Sequence, residues 1–523
     1  HREWMQSELE KLLKTEKSGK LSEKELNKLK TKIANLKNDL EVYSEANFNK
    51  LSDHQKAIHN KAFITNKNYS EYRKLERLKF EDKELKVPKG DVLHQFREDV
   101  DNGELPMVSW LVAPCSFSDH PGSPWYGAWY VSEVLDILTK NPEQWKKTIF
   151  IVTYDENDGY FDHVPPFVAP KPGSGGTNNI RTEEEFVDGK HNLGLGFRVP
   201  MIVASPWSRG GYVNSEVFDH TSSLQFLEHF IEKKTGKKVI EENIGEWRRA
   251  VCGDLRSIFR DADSSVPEEM AVKRDAYIQQ IYEAKEKKLP SDYKMLSDTD
   301  LDDLKAKDRL KQLLPDQEPG TKPSCALPYN LSLNCEYLKS KDEVEVTMSY
   351  ENSLSNAKKG AAPFQIYDMN SLRKDSKKSC YDFTVSEGKQ LKCTLPFHSD
   401  TFFLKAYAPN GFYREFRGHK NQLSQTNILL NTMSDKEQMQ VVFEFDTKQQ
   451  IIVSIVDNSY KRKPINLVFE KGTHKQVIDI QDSFGWYDYS ILIEEYQDFE
   501  QRFAGHIENG KTSITDPLMG RSV

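Results

Sequence analysis

The sequence predicts an α/β domain with a mainly parallel sheet over residues 101–262, followed beyond residue 325 by a pair of small β-sandwiches. The first expectation rests on three continuously apolar runs, Met107–Ala113, Thr148–Tyr154 and Val199–Ala204, with helical stretches near 127–140 and 221–233. Runs without polar alternation are the pattern of strands buried on both faces, and helices between them make the layered α/β order. The second rests on alternating stretches such as Val344 to Met348 and Ile451 to Ile455, and on a repeat. The pattern F-x-x-x-F-x-G-H runs from Phe412 to His419 and again from Phe499 to His506, 87 positions further on. That period suits one small sandwich per copy, and the repeated histidines read as a structural turn rather than as sites.

Residues 1–90 read as a polar helical insertion. Leu26, Leu29, Ile33, Leu36, Leu40 and Tyr43 are spaced three and four apart, the stripe of a short helical hairpin packed on something larger. Ser22 with Glu25, and Ser52 with Gln55, have the spacing of capping boxes. Residues 263–325 are charged, then rich in proline, and read as a helical and loop connector. The sandwiches are placed at 326–420 and 421–523.

A chain of 523 residues exceeds one hydrophobic core. Its net charge of −8 gives no electrostatic reason to expect nucleic acid. No apolar run reaches the roughly 20 residues a membrane span needs. Four of the six cysteines, Cys325, Cys335, Cys380 and Cys393, fall in one region, and the absence of a CxxC pair argues against a zinc ribbon. Free thiols and disulfides both remain open.

In open α/β sheets, ligands bind beyond the carboxyl ends of the strands. The first apolar run is followed by Asp119-His120-Pro121, the second by Asp155-Glu156 and then Asp162-His163, the third by Asp219-His220. Adjacent carboxylates after a buried strand repel unless a cation or solvent separates them. Hard oxygen donors suit a divalent metal, and a solvated acidic turn is the alternative. The stretch is no EF-hand loop, since it lacks that loop's glycine at position 6 and glutamate at position 12. Single histidines in turns are ordinarily structural. Three Asp-His pairs at one sheet edge suggest that at least one meets a phosphate. Trp125, Tyr126, Trp129 and Tyr130 are either core residues of the next helix or a face for a quaternary ammonium group.

Several stretches resemble the bacterial phosphocholine-preferring phospholipase C family, of haemolytic and non-haemolytic type. They run from Leu105 to Pro121, from Tyr154 to Pro166, from Arg198 to Pro200, from Ser205 to Gly211 and from Trp247 to Asp254. Downstream, Pro409 to Phe412, Gly485 to Asp488 and Ser513 to Pro517 resemble its paired C-terminal domains. The resemblance covers about residues 90–262 and 326–520, and segment 1–90 is similar to an insertion in some members. It implies an alkaline-phosphatase-like phosphoesterase domain, of which 91–262 is the C-terminal part. It also implies one divalent metal ion of undetermined identity, held in part by Asp155 and Glu156. His120 and His163 would act on the phosphoryl group, and Asp119, Trp125, Tyr126 and His220 would contact substrate.

The family's Glu-Asn metal ligands and its nucleophile have no counterpart here. Glu242-Asn243, Glu351-Asn352 and Glu508-Asn509 do not follow an early buried strand. The expectation is therefore that the first catalytic motif lies upstream of His1, in an N-terminal part of the same domain, and that this polypeptide alone is inactive. The implied reaction releases diacylglycerol and phosphocholine from phosphatidylcholine-type lipid at a membrane surface, by a secreted or periplasmic enzyme. The rival readings are a phosphomonoesterase of the same superfamily and a non-catalytic surface-binding protein.

Overall fold

The structure, a computed structural model, describes residues 2–18, 22–62, 66, 69–72, 74–80, 83–118, 124–162, 164–263, 288, 291, 293–306, 319–354, 360–373, 379–396 and 400–519. Two compact units divide the chain: His1–Gln144 with Glu269–Lys287, and Trp145–Glu268 with Lys288–Val523.

In the first unit the capping residues start the helices expected of them. Glu25 Oε2 accepts from Ser22 N at 2.9 Å at the head of α2 (Glu23–Val42), which follows α1 (Arg2–Lys17). Ser52 and Gln55 make the same reciprocal pair before α4 (Asp53–Ala62), with α3 (Glu45–Asn49) between. Ile33 is the buried residue of the α2 stripe, and Tyr43 at its end lies out in solvent. The expectation of an all-helical segment 1–90 is corrected by a β-hairpin, β1 (Leu75–Phe80) and β2 (Lys83–Pro88), paired from Leu75↔Pro88 to Phe80↔Lys83. Its lysines and glutamates carry no strand signal; backbone pairing across a two-residue connection makes it a hairpin.

Met107–Ala113 is also corrected, because it forms no strand. Extended backbone becomes a strand only where a neighbour takes its N–H and C=O groups. No described strand pairs with this run, and Trp110 and Val112 are 69% and 85% exposed. After α5 (His94–Asp101), the helix expected near 127–140 is α6 (Pro124–Thr139), with Tyr130, Val134, Ile137 and Leu138 buried.

In the second unit the other two runs become β3 (Phe150–Thr153) and β4 (Met201–Ala204). They pair antiparallel, Phe150↔Ala204 to Thr153↔Met201, which corrects the expected parallel order among the described residues. An apolar run says nothing of strand direction, and the expected burial on both faces is corrected too: no residue of β3 or β4 is fully buried, and Ile202 is 60% exposed. The helix expected near 221–233 is α7 (His220–Thr235), ended by Gly236 at φ 69.

The C-terminal part is β-rich, with fourteen principal strands among the described residues. They are β5 (Tyr329–Leu338), β6 (Glu343–Asn352), β7 (Ala361–Asp368), β8 (Cys380–Ser386), β9 (Lys389–Pro396), β10 (Thr401–Ala408) and β11 (Phe412–His419). Then come β12 (Thr426–Met433), β13 (Gln438–Phe445), β14 (Ile451–Asp457), β15 (Ile465–Phe469), β16 (Gly472–Asp479), β17 (Trp486–Ile493) and β18 (Glu500–His506). An eight-stranded antiparallel sheet has the order β8-β7-β10-β11-β18-β17-β14-β15, and two three-stranded sheets have the orders β9-β6-β5 and β12-β13-β16. Adding seven to each label of the first half reproduces the second half. One hydrophobic core joins all three sheets, from Leu327 and Phe364 to Phe443 and Phe503.

The eight-residue repeat lies where the halves meet. β11 pairs with β18 so that Glu415 faces Arg502, its own counterpart in the repeat. The repeated histidines do different structural work. His419 caps a short helix, its N–H donating to Gln422 Oε1 at 2.7 Å, while His506 bridges Glu508 and the Phe484 carbonyl. All six cysteines are free thiols.

Candidate active site

β3 delivers the acidic pair to a defined turn. The Tyr154 N–H donates to the Pro200 carbonyl at 3.3 Å, holding the chain beside β4 as it leaves the strand. Asp155 and Glu156 follow, both exposed. The turn closes on its own side chains: Asn157 Nδ2 donates to the Tyr160 carbonyl at 2.9 Å, and Asp158 Oδ1 accepts the Tyr160 N–H at 3.1 Å. Gly159, at φ 84, supplies a conformation that a side chain would resist. Arg198 Nε donates to Asp162 Oδ2 at 3.0 Å and ties the outgoing strand of the loop to the approach to β4.

The third strand-end motif folds against this turn. Asp219 is the N-cap of α7, Oδ1 accepting the Thr221 N–H at 2.9 Å while Ser222 Oγ accepts the Asp219 N–H at 3.1 Å. His220 is thereby fixed as the first residue of the helix, with Nε2 at 2.9 Å from the Tyr154 carbonyl. Asp219 Oδ2 is held by Arg248 from α8 (Glu246–Val251), at 2.8 Å. Arg248 Nε also donates to Glu185 Oε1 at 2.9 Å, and its remaining nitrogen to the Gly194 carbonyl at 2.6 Å. Burial pushes the Glu185 carboxyl above its ordinary value, against the pull of Arg248. Burial by itself would depress the Arg248 guanidinium, but the bond to Asp219 and the charges of Glu185 and Asp219 hold it above its usual range.

The structure thus ties His220 to the main chain of Tyr154, the residue before Asp155 and Glu156. Asp119, His120 and His163 lie outside the described residues. Trp125 and Tyr126 lie on α6 in the first unit, where Phe117 meets Tyr126 edge-on with ring centroids 5.6 Å apart. Sequence reasoning quoted Arg248 but gave it no role, and it passed over Glu185. One signal was available: no residue three or four positions from Arg248 carries an acid, so a charge on so short a helix must find its partner far along the chain.

Among the described residues no group of three or more His, Cys, Asp or Glu side chains is placed to hold a metal ion. Asp155 and Glu156 remain two adjacent carboxylates with no hydrogen-bond donor among the described residues, and fit a hard divalent cation as two of its ligands. No described helix is long and apolar enough to cross a membrane.

Residues 16–232 match the Phosphoesterase family, and residues 323–419 match the bacterial phospholipase C, C-terminal domain. The chain is similar to bacterial phospholipases C. It is 36% identical over 453 residues to the non-hemolytic phospholipase C of Pseudomonas aeruginosa, across 82% of this chain and 60% of that one. The hemolytic phospholipase C of the same organism is 33% identical, across 81% and 59%. Phospholipase C A of Mycobacterium tuberculosis is 45% identical over 172 residues, across 32% of each chain. The chain therefore spans about three fifths of the length of the Pseudomonas relatives.

Proposed function

We propose that the protein is a phospholipase C, a phosphoric diester hydrolase that cleaves phosphatidylcholine-type lipids at a membrane surface into diacylglycerol and phosphocholine. The observation that carries this is the identity to phospholipases C over four fifths of the chain, together with the Phosphoesterase match over residues 16–232, which takes in the Asp155-Glu156 turn. In this reading residues 91–262 belong to an alkaline-phosphatase-like domain, and the duplicated strand order beyond residue 325 is a fused pair of small β-sandwiches. The protein would be secreted or periplasmic.

Asp155 and Glu156 would supply part of the shell of one divalent cation, which offsets negative charge on phosphoryl oxygens when bound. His120 and His163 would act on the phosphoryl group, as donors to its oxygens. His220, with Asp119, Trp125 and Tyr126, would contact the substrate. The Tyr154 carbonyl and the Asp219 cap support the reading for His220, because they hold its ring against the main chain one residue before the acidic pair.

The test is Asp155→Asn in the full natural protein, assayed on a soluble phosphodiester with metal content measured in parallel. Loss of a charge-stabilising ligand should lower both bound metal and kcat, the latter by about 100-fold or more. Unchanged metal occupancy with unchanged turnover would overturn the assignment.

A further inference from the structure

The hydrogen bonds that end on the acidic turn begin in the β-rich part of the molecule. Trp247 is fully buried in α8, within a cluster formed by Ala169, Val251, Cys252 and Ala361 of β7. Its indole Nε1 donates to Thr384 Oγ1 of β8 at 2.9 Å. The next residue is Arg248, whose guanidinium reaches Glu185, Asp219 and the Gly194 carbonyl. Asp219 caps α7, and His220 at the head of that helix meets the Tyr154 carbonyl, one residue before Asp155. Each step is a hydrogen bond or a peptide link within one compact unit.

We propose that Arg248 is a positioning residue for the Asp155-Glu156 turn, and that Trp247 and Thr384 make the β-rich domain the fixed end of that connection. The guanidinium suits the task because it is planar and presents several donors at set angles, so three acceptors are held at once. A lysine ammonium is a point charge on a flexible stem and would hold fewer of them with less direction. Without Arg248, buried Glu185 and largely buried Asp219 would face each other as uncompensated like charges, and the N-cap would relax toward solvent. His220 would then lose its fixed distance to Tyr154. The proposal leans on the phospholipase reading only for its consequence in catalysis. The structural half stands by itself.

Two measurements test it. In the 523-residue chain, hydrogen exchange read by mass spectrometry should quicken in Arg248→Met by about tenfold or more over residues 150–157 and 219–223, with β11 and β18 unchanged. Quickening confined to residues 245–252 would overturn the proposal. If Arg248→Met fails to fold, Arg248→Lys and Thr384→Val decide the matter: the same pattern at smaller amplitude supports it, and an unaltered 150–157 segment refutes it. In the full natural protein, Arg248→Met should weaken binding of Mn2+ by about tenfold and lower kcat while KM stays within about twofold, with partial rescue in Arg248→Lys. Wild-type Mn2+ affinity and kcat in folded Arg248→Met would remove the catalytic half. A parent protein that binds no Mn2+ and cleaves no phosphodiester would sink the phospholipase reading instead, and the exchange pattern would still decide the role of Arg248.

Discussion

Asp382 lies on β8, where the β-rich sheet meets the loop that carries Pro166. Gln365 Nε2 donates to the Pro166 carbonyl at 3.1 Å and to Asp382 Oδ1 at 3.3 Å. Burial pushes the Asp382 carboxyl up to about 6, with the Gln365 bond pulling the other way. An unfolded chain releases that proton near pH 4, so between about 4 and about 6 the native state binds more protons than the unfolded one. Stability from this group is greatest below that window and is lost as pH rises through it. Asp382→Asn should therefore flatten the fall between pH 4 and 6 and raise stability at pH 7 by about 1 kcal/mol, discounted because the carboxyl is partly solvated. Urea midpoints at both pH values check this; a fall as steep as in the parent would show that the slope comes from other acids. Little near Asp382 in sequence announces its environment, because its amide partner Gln365 lies 17 positions away and is itself held by the Pro166 carbonyl. Asp155 and Glu156 were legible for the opposite reason, since a strand run and two acids sit side by side in the chain. Arg248 was readable as a residue needing a partner, but its partners lie 29, 54 and 63 positions away.

Elements with local causes were readable. The Ser22 and Ser52 boxes close within one helical turn, so spacing alone locates them. The apolar run at Met107 was misread because a strand is a property of two segments, and the sequence shows only one of them. The F-x-x-x-F-x-G-H repeat has a physical basis in its glycines. A Cβ on Gly418, at φ 158, would stand 2.9 Å from Gln422 Oε1 and 3.1 Å from the Phe499 ring, and a Cβ on Gly505, at φ 150, 3.2 Å from Tyr487 Oη. Gln422 Oε1 is the acceptor for the His419 N–H, so an added methyl displaces the group that starts the helix after β11. Gly418→Ala should destabilise the β-rich part by about 1–3 kcal/mol through overpacking. A urea midpoint equal to the parent's would show that the turn yields without cost.

At the scale of the whole molecule, the question is whether residues before 262 can keep their structure without those after 319. The chain binds them at several points. Val213 forms backbone bonds with Pro323 and Cys325, and Val217 N–H donates to Tyr329 Oη at 3.0 Å. The Thr384 N–H donates to the Gly176 carbonyl at 2.8 Å, and Asn178 and Ser386 exchange bonds. Trp247, the largest side chain in the shared cluster, donates its indole N–H to Thr384 on β8. Cutting the chain after Ala262 removes every one of these partners at once. Each abandoned buried donor costs about 1–3 kcal/mol, and the exposed indole adds its own apolar surface. Such losses rival the whole stability of an ordinary domain, about 5–15 kcal/mol. A polypeptide ending at Ala262 should therefore lose the fixed Trp247 environment, seen as collapse of near-ultraviolet dichroism and rapid proteolysis between residues 205 and 255. Residues 319–519, which carry their own core across three sheets, should keep their cooperative unfolding transition. If the piece ending at Ala262 instead unfolds cooperatively with a native-like tryptophan signal, these contacts fasten two independent bodies, and the β-rich part cannot be what holds the acidic turn in shape.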